Sequence, residues 1–400
     1  MREITQCEVC TNSALRSVMR LGDHPLPDDL RPIGTEALSP SYPVEILWCD
    51  HCNTAHQRFQ IEKTKLFPPT YHYRARQTQD VIDGMWQLVC DVDALFGVRG
   101  KKVLDIGCND GSLLTMFKSI GAKTYGIEPT DAAFDAMAAG HSVSQAFLDR
   151  TEAMKFVSLN GYPDVITFTN VFAHIEHLSE LIASVKILAG PNTALVIENH
   201  YLGSVVKRHQ FDTFYHEHPR TYSLRSFISI AESLGMHVYH VSYPQRYGGN
   251  IRVIMEQGKH GGLNAGDEPN FGIDMVKLDL QVSEWKAKKR IELLDAYTKY
   301  GPLAAAAFPG RAAILMRLLG LPDELWKAVY EKPGSKKIGY YVPGTHVPIV
   351  SDQMCPVSDA TEHTPLVNLA WHIPSEIEAR WRAKGFPGRI IQIVDNTDFL

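Results

Sequence analysis

A chain of 400 residues has the length of two or three domains, each large enough to bury its own core. Its hydrophobic share of 44% and charged share of 21% are those of a soluble globular protein, and a net charge of −5 without a lysine or arginine block speaks against a nucleic-acid partner. No apolar run reaches the length of a membrane span, and the N-terminus has no signal-peptide pattern. Seven cysteines, four of them at metal spacing, fit a reducing compartment, so a cytoplasmic protein is expected.

Cys7-Glu-Val-Cys10 and Cys49-Asp-His-Cys52 each put two thiolates on one tight turn. Two such turns build a tetrahedral sulfur site suited to Zn(II), and four protein ligands leave no open position for catalysis. A structural zinc is therefore expected, with His51 and His56 as bystanders. The 38 residues between the pairs carry Pro25, Pro27, Pro32, Pro40 and Pro43, which predicts loops and short strands. Next, the double proline of Lys65-Leu-Phe-Pro-Pro-Thr-Tyr-His-Tyr-Arg74 stiffens a loop that carries Tyr71 and Tyr73. Taken alone, these tyrosines read as packing residues. Apolar spacing of three and four predicts a helix over 80–95.

The stretch Val103-Leu-Asp-Ile-Gly-Cys-Asn-Asp-Gly-Ser112 reads as a strand, a tight turn and the opening of a helix. Gly107 and Gly111 let the backbone bend and approach a ligand closely. The turn is not G-x-G-x-x-G, since Cys108, Asn109 and Asp110 crowd it. Asp105 near the strand end would repel a pyrophosphate but not a cationic or hydroxyl-rich ligand. The following strand, 123–127, runs into Glu128, placed to take ribose hydroxyls. Together these features look like the S-adenosylmethionine (SAM) pocket of a class I methyltransferase. Strands at 165–169 and 194–198 alternate with helices at 112–120, 131–139 and 178–188, the pattern of a mainly parallel sheet. Asn170-Val-Phe-Ala-His174 follows a strand end, which makes His174 a site candidate as much as a core histidine.

Phe211-Asp-Thr-Phe-Tyr-His-Glu-His-Pro-Arg220 is the richest stretch, with Tyr215, His216, Glu217 and His218 in succession. No second cluster completes a metal site. The neighbouring aromatics need burial, and a histidine paired to a carboxylate suits proton transfer near neutral pH. A helix through Leu234 and strands at 237–243 and 251–256 follow, flanking Gly248-Gly249. Residues 271–300 read as a connecting helix whose apolar positions are Val276, Leu280, Val282, Trp285 and Leu293, and whose lysines form a solvated face. The last hundred residues form another α/β unit, with helices at 311–320 and 374–384 and a strand at 366–370.

The order CxxC…CxxC, Tyr-x-Tyr loop, VLDIGCNDGSLL, NVFAHI, FDTFYHEH, GGNIRV and PGTHVPI resembles the SAM-dependent sugar C-methyltransferases over nearly the whole chain. The YHEH motif is the most specific part. Arg74-Ala-Arg76 stands where that family has a serine-rich run, Asp28-Asp29-Leu30 replaces a small-polar segment, and Phe308-Pro-Gly310-Arg311 reduces a glycine-rich turn. The resemblance implies an α/β fold: a zinc-binding domain at 1–75, a Rossmann-like SAM domain at 76–262, a connecting helix at 263–300 and a C-terminal α/β domain at 301–400. It implies SAM held by Asp105, Gly107, Asn109, Gly111, Glu128 and Asn170, and structural zinc on Cys7, Cys10, Cys49 and Cys52. It further implies methylation of C3 of a nucleotide-linked 4-keto-6-deoxy sugar through an enolate. His218 would be the base, oriented by Glu217 or a neighbour. Tyr215 and His174 would hold the C4 oxygen, with Tyr71 or Tyr73 beside them. The expected partner is that sugar nucleotide, with no nucleic acid or membrane, in a monomer or weak homodimer. The alternatives are an O- or N-methyltransferase acting on a small metabolite and a zinc-ribbon RNA-binding protein, which the acidic charge disfavours.

Overall fold

Seven strands form one sheet in the order His237–Ser242, Asn250–Glu256, Ala194–His200, Val165–Thr169, Lys102–Ile106, Lys123–Ile127, Ser142–Ser144. The structure is a computed structural model and describes residues 1–69, 71, 74–77, 79–258 and 262–399. Tyr73 lies outside the described residues. Every neighbouring pair of strands is parallel except those made by Asn250–Glu256, which runs antiparallel to both its neighbours.

The sheet follows from its side-chain alternation. Leu104, Ile106, Ile166, Phe168 and Ile197 face one core, packed with Leu181, Val185 and Phe227. Val103, Val165, Val196 and Ile254 face the other, packed with Leu88, Val89 and Val92 of the helix Gln79–Phe96. A strand buried on both faces has no polar side to show, which is why these segments read as near-continuous apolar runs. Helix Leu224–Leu234 is closed by a capping box between Ser223 and Ser226 and by left-handed Gly235.

Helix and strand positions agree with the periodicity, with additions, except between the cysteine turns, where long strands Leu15–Pro25 and Ser41–Cys49 stand in place of the expected short ones. The strand beginning at Ala194 continues two residues beyond Glu198, to His200. A short strand Ser142–Ser144 completes the sheet's edge, and the helix Arg150–Asn160 joins the core of Leu181 and Val185; that helix buries only Ala153 and Phe156, so its apolar stripe is faint.

By packing, the chain divides into two units: residues 1–17, 47–207 and 217–272, and residues 18–46, 208–216 and 273–400. Both cysteine turns group with the seven-stranded sheet, and most of the chain between them with the second unit. The second unit holds a five-stranded, wholly parallel sheet in the order Ile349–Ser351, Trp326–Glu331, Leu303–Ala306, Pro365–Asn368, Arg389–Gln392.

Helix Gly272–Tyr300 is fastened to this unit, where Trp285 Nε1 donates to the Ile393 carbonyl at 2.9 Å. Its buried stripe is Met275, Leu278, Val282, Trp285 and Leu293, whereas Val276 and Leu280 are exposed. Lys289 departs from the expected solvated face. It sits on the buried stripe, four residues from both Trp285 and Leu293, and reaches the Gln392 carbonyl at 3.0 Å and Glu292 at 2.7 Å. Among the described residues no helix is long and apolar enough to cross a membrane.

Candidate active site and metal centre

The four cysteines converge. Cys7 and Cys52 sulfurs are 3.5 Å apart, as are Cys10 and Cys49, and all four lie within 4.8 Å of one another. A Zn–S bond of about 2.3 Å sets a tetrahedron with edges of about 3.8 Å, so this donor set fits zinc with small side-chain adjustments. The burial of Cys7, Cys49 and Cys52 leaves no approach for substrate, consistent with a structural ion. His56, expected as a bystander, is no part of the four-sulfur set but touches it: its Nε2 lies 3.3 Å from the Cys7 sulfur. Thr54 Oγ1 approaches Cys52 at 3.0 Å. Such second contacts orient metal ligands.

Because strands Lys102–Ile106, Lys123–Ile127, Val165–Thr169 and Ala194–His200 are parallel, the residues that follow them gather on one edge of the sheet. Gly107, Glu128, Asn170 and His200 all belong to that edge, where a sheet of this kind binds its ligand.

Gly107 has φ +69°, and a Cβ there would lie 2.7 Å from the Val171 methyls. Gly111 has φ +74° and would meet the Ala136 Cβ at 2.9 Å. Both positions are closed to any side chain. Asn109, also left-handed at φ 49°, donates its backbone N–H to Glu128 Oε2 at 3.0 Å. The other Glu128 oxygen accepts from Thr130 N at 2.9 Å and Thr130 Oγ1 at 2.6 Å. A fixed, buried carboxylate beside a turn kept free of side chains at Gly107 and Gly111 fits the ribose and methionine ends of SAM. Asp105 is turned into the sheet, where it accepts from Thr167 Oγ1 at 2.7 Å, and burial pushes its carboxyl up to about 7. Asn170, at φ 54°, accepts at Oδ1 from Asn250 Nδ2 at 3.2 Å.

A second cluster stands on the same edge. Glu217 and His218 are buried. Tyr71 Oη donates to Glu217 Oε2 at 3.4 Å, and His174 Nδ1 lies 3.9 Å from the same oxygen. The His174 and His218 rings meet edge-on with centroids 4.8 Å apart, and Phe67 packs on His174 at 5.3 Å. Burial, and then the nearby His218, hold the His174 imidazole well below its ordinary 6.5, so it is neutral at physiological pH. Within this unit the structure thus brings together Tyr71, His174, Glu217 and His218. Tyr215 falls in the 208–216 segment of the other unit. His216 is buried in that unit, donates Nε2–H to the Tyr42 carbonyl at 3.1 Å, and is pushed by burial down to about 4.

Sequence reasoning missed His200. Its ring lies 5.3 Å from that of His218, and it is the last residue of a parallel strand. The signal was present in its position at a strand end, but the strand was expected to stop at Glu198. Glu198 itself is fully buried and anchors Arg246, Arg252 (Nε at 2.8 Å) and Asn250 (Nδ2 at 2.9 Å).

Three family models match in succession: a zinc binding domain over residues 7–67, a methyltransferase domain over 72–241, and a C-methyltransferase C-terminal domain over 272–393. The chain is 26% identical over 404 residues to the C-methyltransferase NovU of Streptomyces niveus, covering 94% of this chain and 92% of that protein. Among solved structures, magnesium protoporphyrin IX methyltransferase of Synechocystis PCC 6803 with bound SAM aligns with a TM-score of 0.34 and 16% identity, over 45% of this chain and 81% of its own. A protein of Pyrococcus horikoshii OT3 aligns with a TM-score of 0.36 and 14% identity, over 50% of this chain and all of its own. With its paired-cysteine centre, its glycine turn facing Glu128 and this succession of domains, the chain is a SAM-dependent C-methyltransferase.

Proposed function

We propose that the protein methylates carbon next to a ketone, C3 of a nucleotide-linked 4-keto-6-deoxy sugar, through an enolate. The observation that carries this reading is the cluster on the sheet edge: a buried histidine, His218, against a neutral histidine, His174, with Glu217 and Tyr71 beside them. Methylation at oxygen or nitrogen starts from a lone pair that already exists. Carbon has none until a base removes its proton and something holds the charge left on the carbonyl oxygen, and this cluster has groups for both tasks.

In this reading His218 takes the C3 proton. His174, neutral, donates an N–H toward the C4 oxygen as negative charge grows there, without adding a fixed positive charge to the resting site. Glu217 orders Tyr71 through their hydrogen bond and faces the His174 ring, while Tyr215, two residues before Glu217, is a further candidate donor. SAM, when bound, supplies the methyl group from a sulfonium. Glu128 would hold its ribose and Gly107, Asn109 and Gly111 its methionine end, with Asp105, bonded to Thr167, and Asn170, bonded to Asn250, at the ends of the flanking strands. Cys7, Cys10, Cys49 and Cys52 would hold zinc as a structural ion.

The test is the position of the new methyl group. The protein would be incubated with SAM carrying a ¹³C methyl and a panel of nucleotide 4-keto-6-deoxy sugars, and the product read by NMR. The expected product shows the labelled methyl bonded to ring carbon next to C4. A label bonded to oxygen or nitrogen would replace this reading with the O- or N-methyltransferase one.

A further inference from the structure

The segment that carries Tyr71 is fastened to the cofactor turn. Arg74 is nearly buried, and its guanidinium spans two partners: Nε donates to Asp135 Oδ2 at 2.8 Å and Nη1 to the backbone carbonyl of Tyr71 at 2.9 Å. The next two backbone N–H groups also reach the turn, Ala75 to Asn109 Oδ1 at 3.1 Å and Arg76 to Asp110 Oδ2 at 3.0 Å. Asp131 N donates to the Pro69 carbonyl at 2.9 Å. Asp135 lies on the helix Ala132–Ala138, which follows directly on Glu128 and Thr130.

Asn109 is the junction. Its backbone N–H holds Glu128, the ribose acid, while its side chain holds Ala75. Whatever fixes Asn109 and Glu128 therefore also fixes the loop at Arg74, and with it the carbonyl of Tyr71, whose hydroxyl meets Glu217. We propose that Arg74 is a positioning residue that transmits occupancy of the SAM turn to the placement of Tyr71 against Glu217. The catalytic half of this proposal rests on the reading of Tyr71 and Glu217 given above.

The chemistry needs arginine. A planar guanidinium offers several N–H groups in fixed directions, so one side chain bridges a carboxylate and a carbonyl at once; a lysine ammonium keeps the charge without that fork. Arg76 adds a second, more exposed contact, 3.4 Å from Asp135 Oδ1. The serine-rich run that the family resemblance led one to expect could supply hydroxyls here, but no ion pair.

The experiment has two arms, on wild type, Arg74→Ala, Arg74→Lys and Asp135→Asn, each shown to be folded by its thermal transition. The first is amide hydrogen exchange with and without S-adenosylhomocysteine, which needs no sugar. In wild type the ligand is expected to slow exchange in both 103–130 and 71–77. In Arg74→Ala the slowing is expected to be confined to 103–130, with Arg74→Lys and Asp135→Asn between. Equal protection of 71–77 in wild type and Arg74→Ala, or none in wild type, overturns the proposal. The second arm is turnover: Arg74→Ala is expected to lower kcat on the order of tenfold to a hundredfold, the usual cost of a small misplacement, while KM for SAM moves far less. An active wild type with an unchanged Arg74→Ala kcat also overturns it. A wild type that methylates no keto sugar sinks the functional reading instead, and the exchange arm still decides the coupling.

Discussion

The rings of His174 and His218 meet edge-on, centroids 4.8 Å apart, at the carboxyl edge of the seven-stranded sheet. Two imidazoles so close cannot both carry a proton without repulsion, and burial already disfavours charge on His174. A neutral His174 is a hydrogen-bond donor of constant charge over the working pH range. His174→Gln keeps a donor and His174→Ala does not, so the glutamine variant is expected to retain more turnover. Loss of the donor altogether should cost on the order of a hundredfold in kcat. Equal activity of wild type and His174→Ala would remove His174 from the mechanism.

The cofactor turn makes a prediction about backbone. Gly111→Ala forces a side chain into a left-handed residue and against the Ala136 Cβ, 2.9 Å away. Strain and overpacking of this kind cost about 1–3 kcal/mol each. The variant is expected to unfold at lower temperature and to bind S-adenosylhomocysteine more weakly by calorimetry. Unchanged values for both would mean that the turn relaxes freely.

Much of this arrangement was legible beforehand, for physical reasons that differ by residue. The turn at Gly107 and Gly111 and its contact with Glu128 were readable because left-handed glycines after one strand and an acid closing the next are local features of the sequence. The cysteine turns were readable because their spacing is imposed by the metal. His200 was not, because a strand's last residues are set by its neighbours: His200 pairs with Asn250, some fifty positions away. Lys289 was misread because charge is normally a surface signal, and its burial becomes tolerable only when tertiary packing adds the Gln392 carbonyl and Asp398 to Glu292 of its own helix. The bridge from Arg74 to Asp135 spans 61 positions and has no local periodicity to announce it.

Zinc should be inseparable from folding of the cysteine turns. The purified protein is expected to carry one zinc per chain by elemental analysis. Cys49→Ser or prolonged chelation should lower the thermal transition together with zinc content, since metal binding to such a site is folding free energy. Retention of both the transition and the fold after complete metal loss would contradict the structural assignment.

Acid should destabilise the second unit through two buried histidines. His24 and His216 each donate Nε2–H to a carbonyl, of Leu21 at 2.8 Å and Tyr42 at 3.1 Å, and burial pushes each down to about 4. Their folded values lie below the unfolded value of about 6.5, so in that window the unfolded chain binds more protons and stability falls as pH drops. Each contributes a slope of up to about 1.4 kcal/mol per pH unit, fully relieved above the unfolded value. Asp105, raised to about 7, acts in the opposite sense, but in the first unit. Denaturant titrations at pH 7 and pH 5 should show a smaller loss in His24→Gln and His216→Gln than in wild type. An identical loss in all three would place the acid sensitivity elsewhere.

The central claim is that the cluster around His218 removes a proton from carbon. Wild-type protein saturated with S-adenosylhomocysteine, which has no methyl group to transfer, would be mixed with the keto-sugar panel in D2O and the C3 proton followed by NMR. The account predicts protein-dependent loss of that signal for one sugar, slowed about a hundredfold or more in His218→Ala, the usual worth of a general base. Exchange at an unchanged rate in His218→Ala, or a sugar that is methylated at C3 without any exchange, would contradict it.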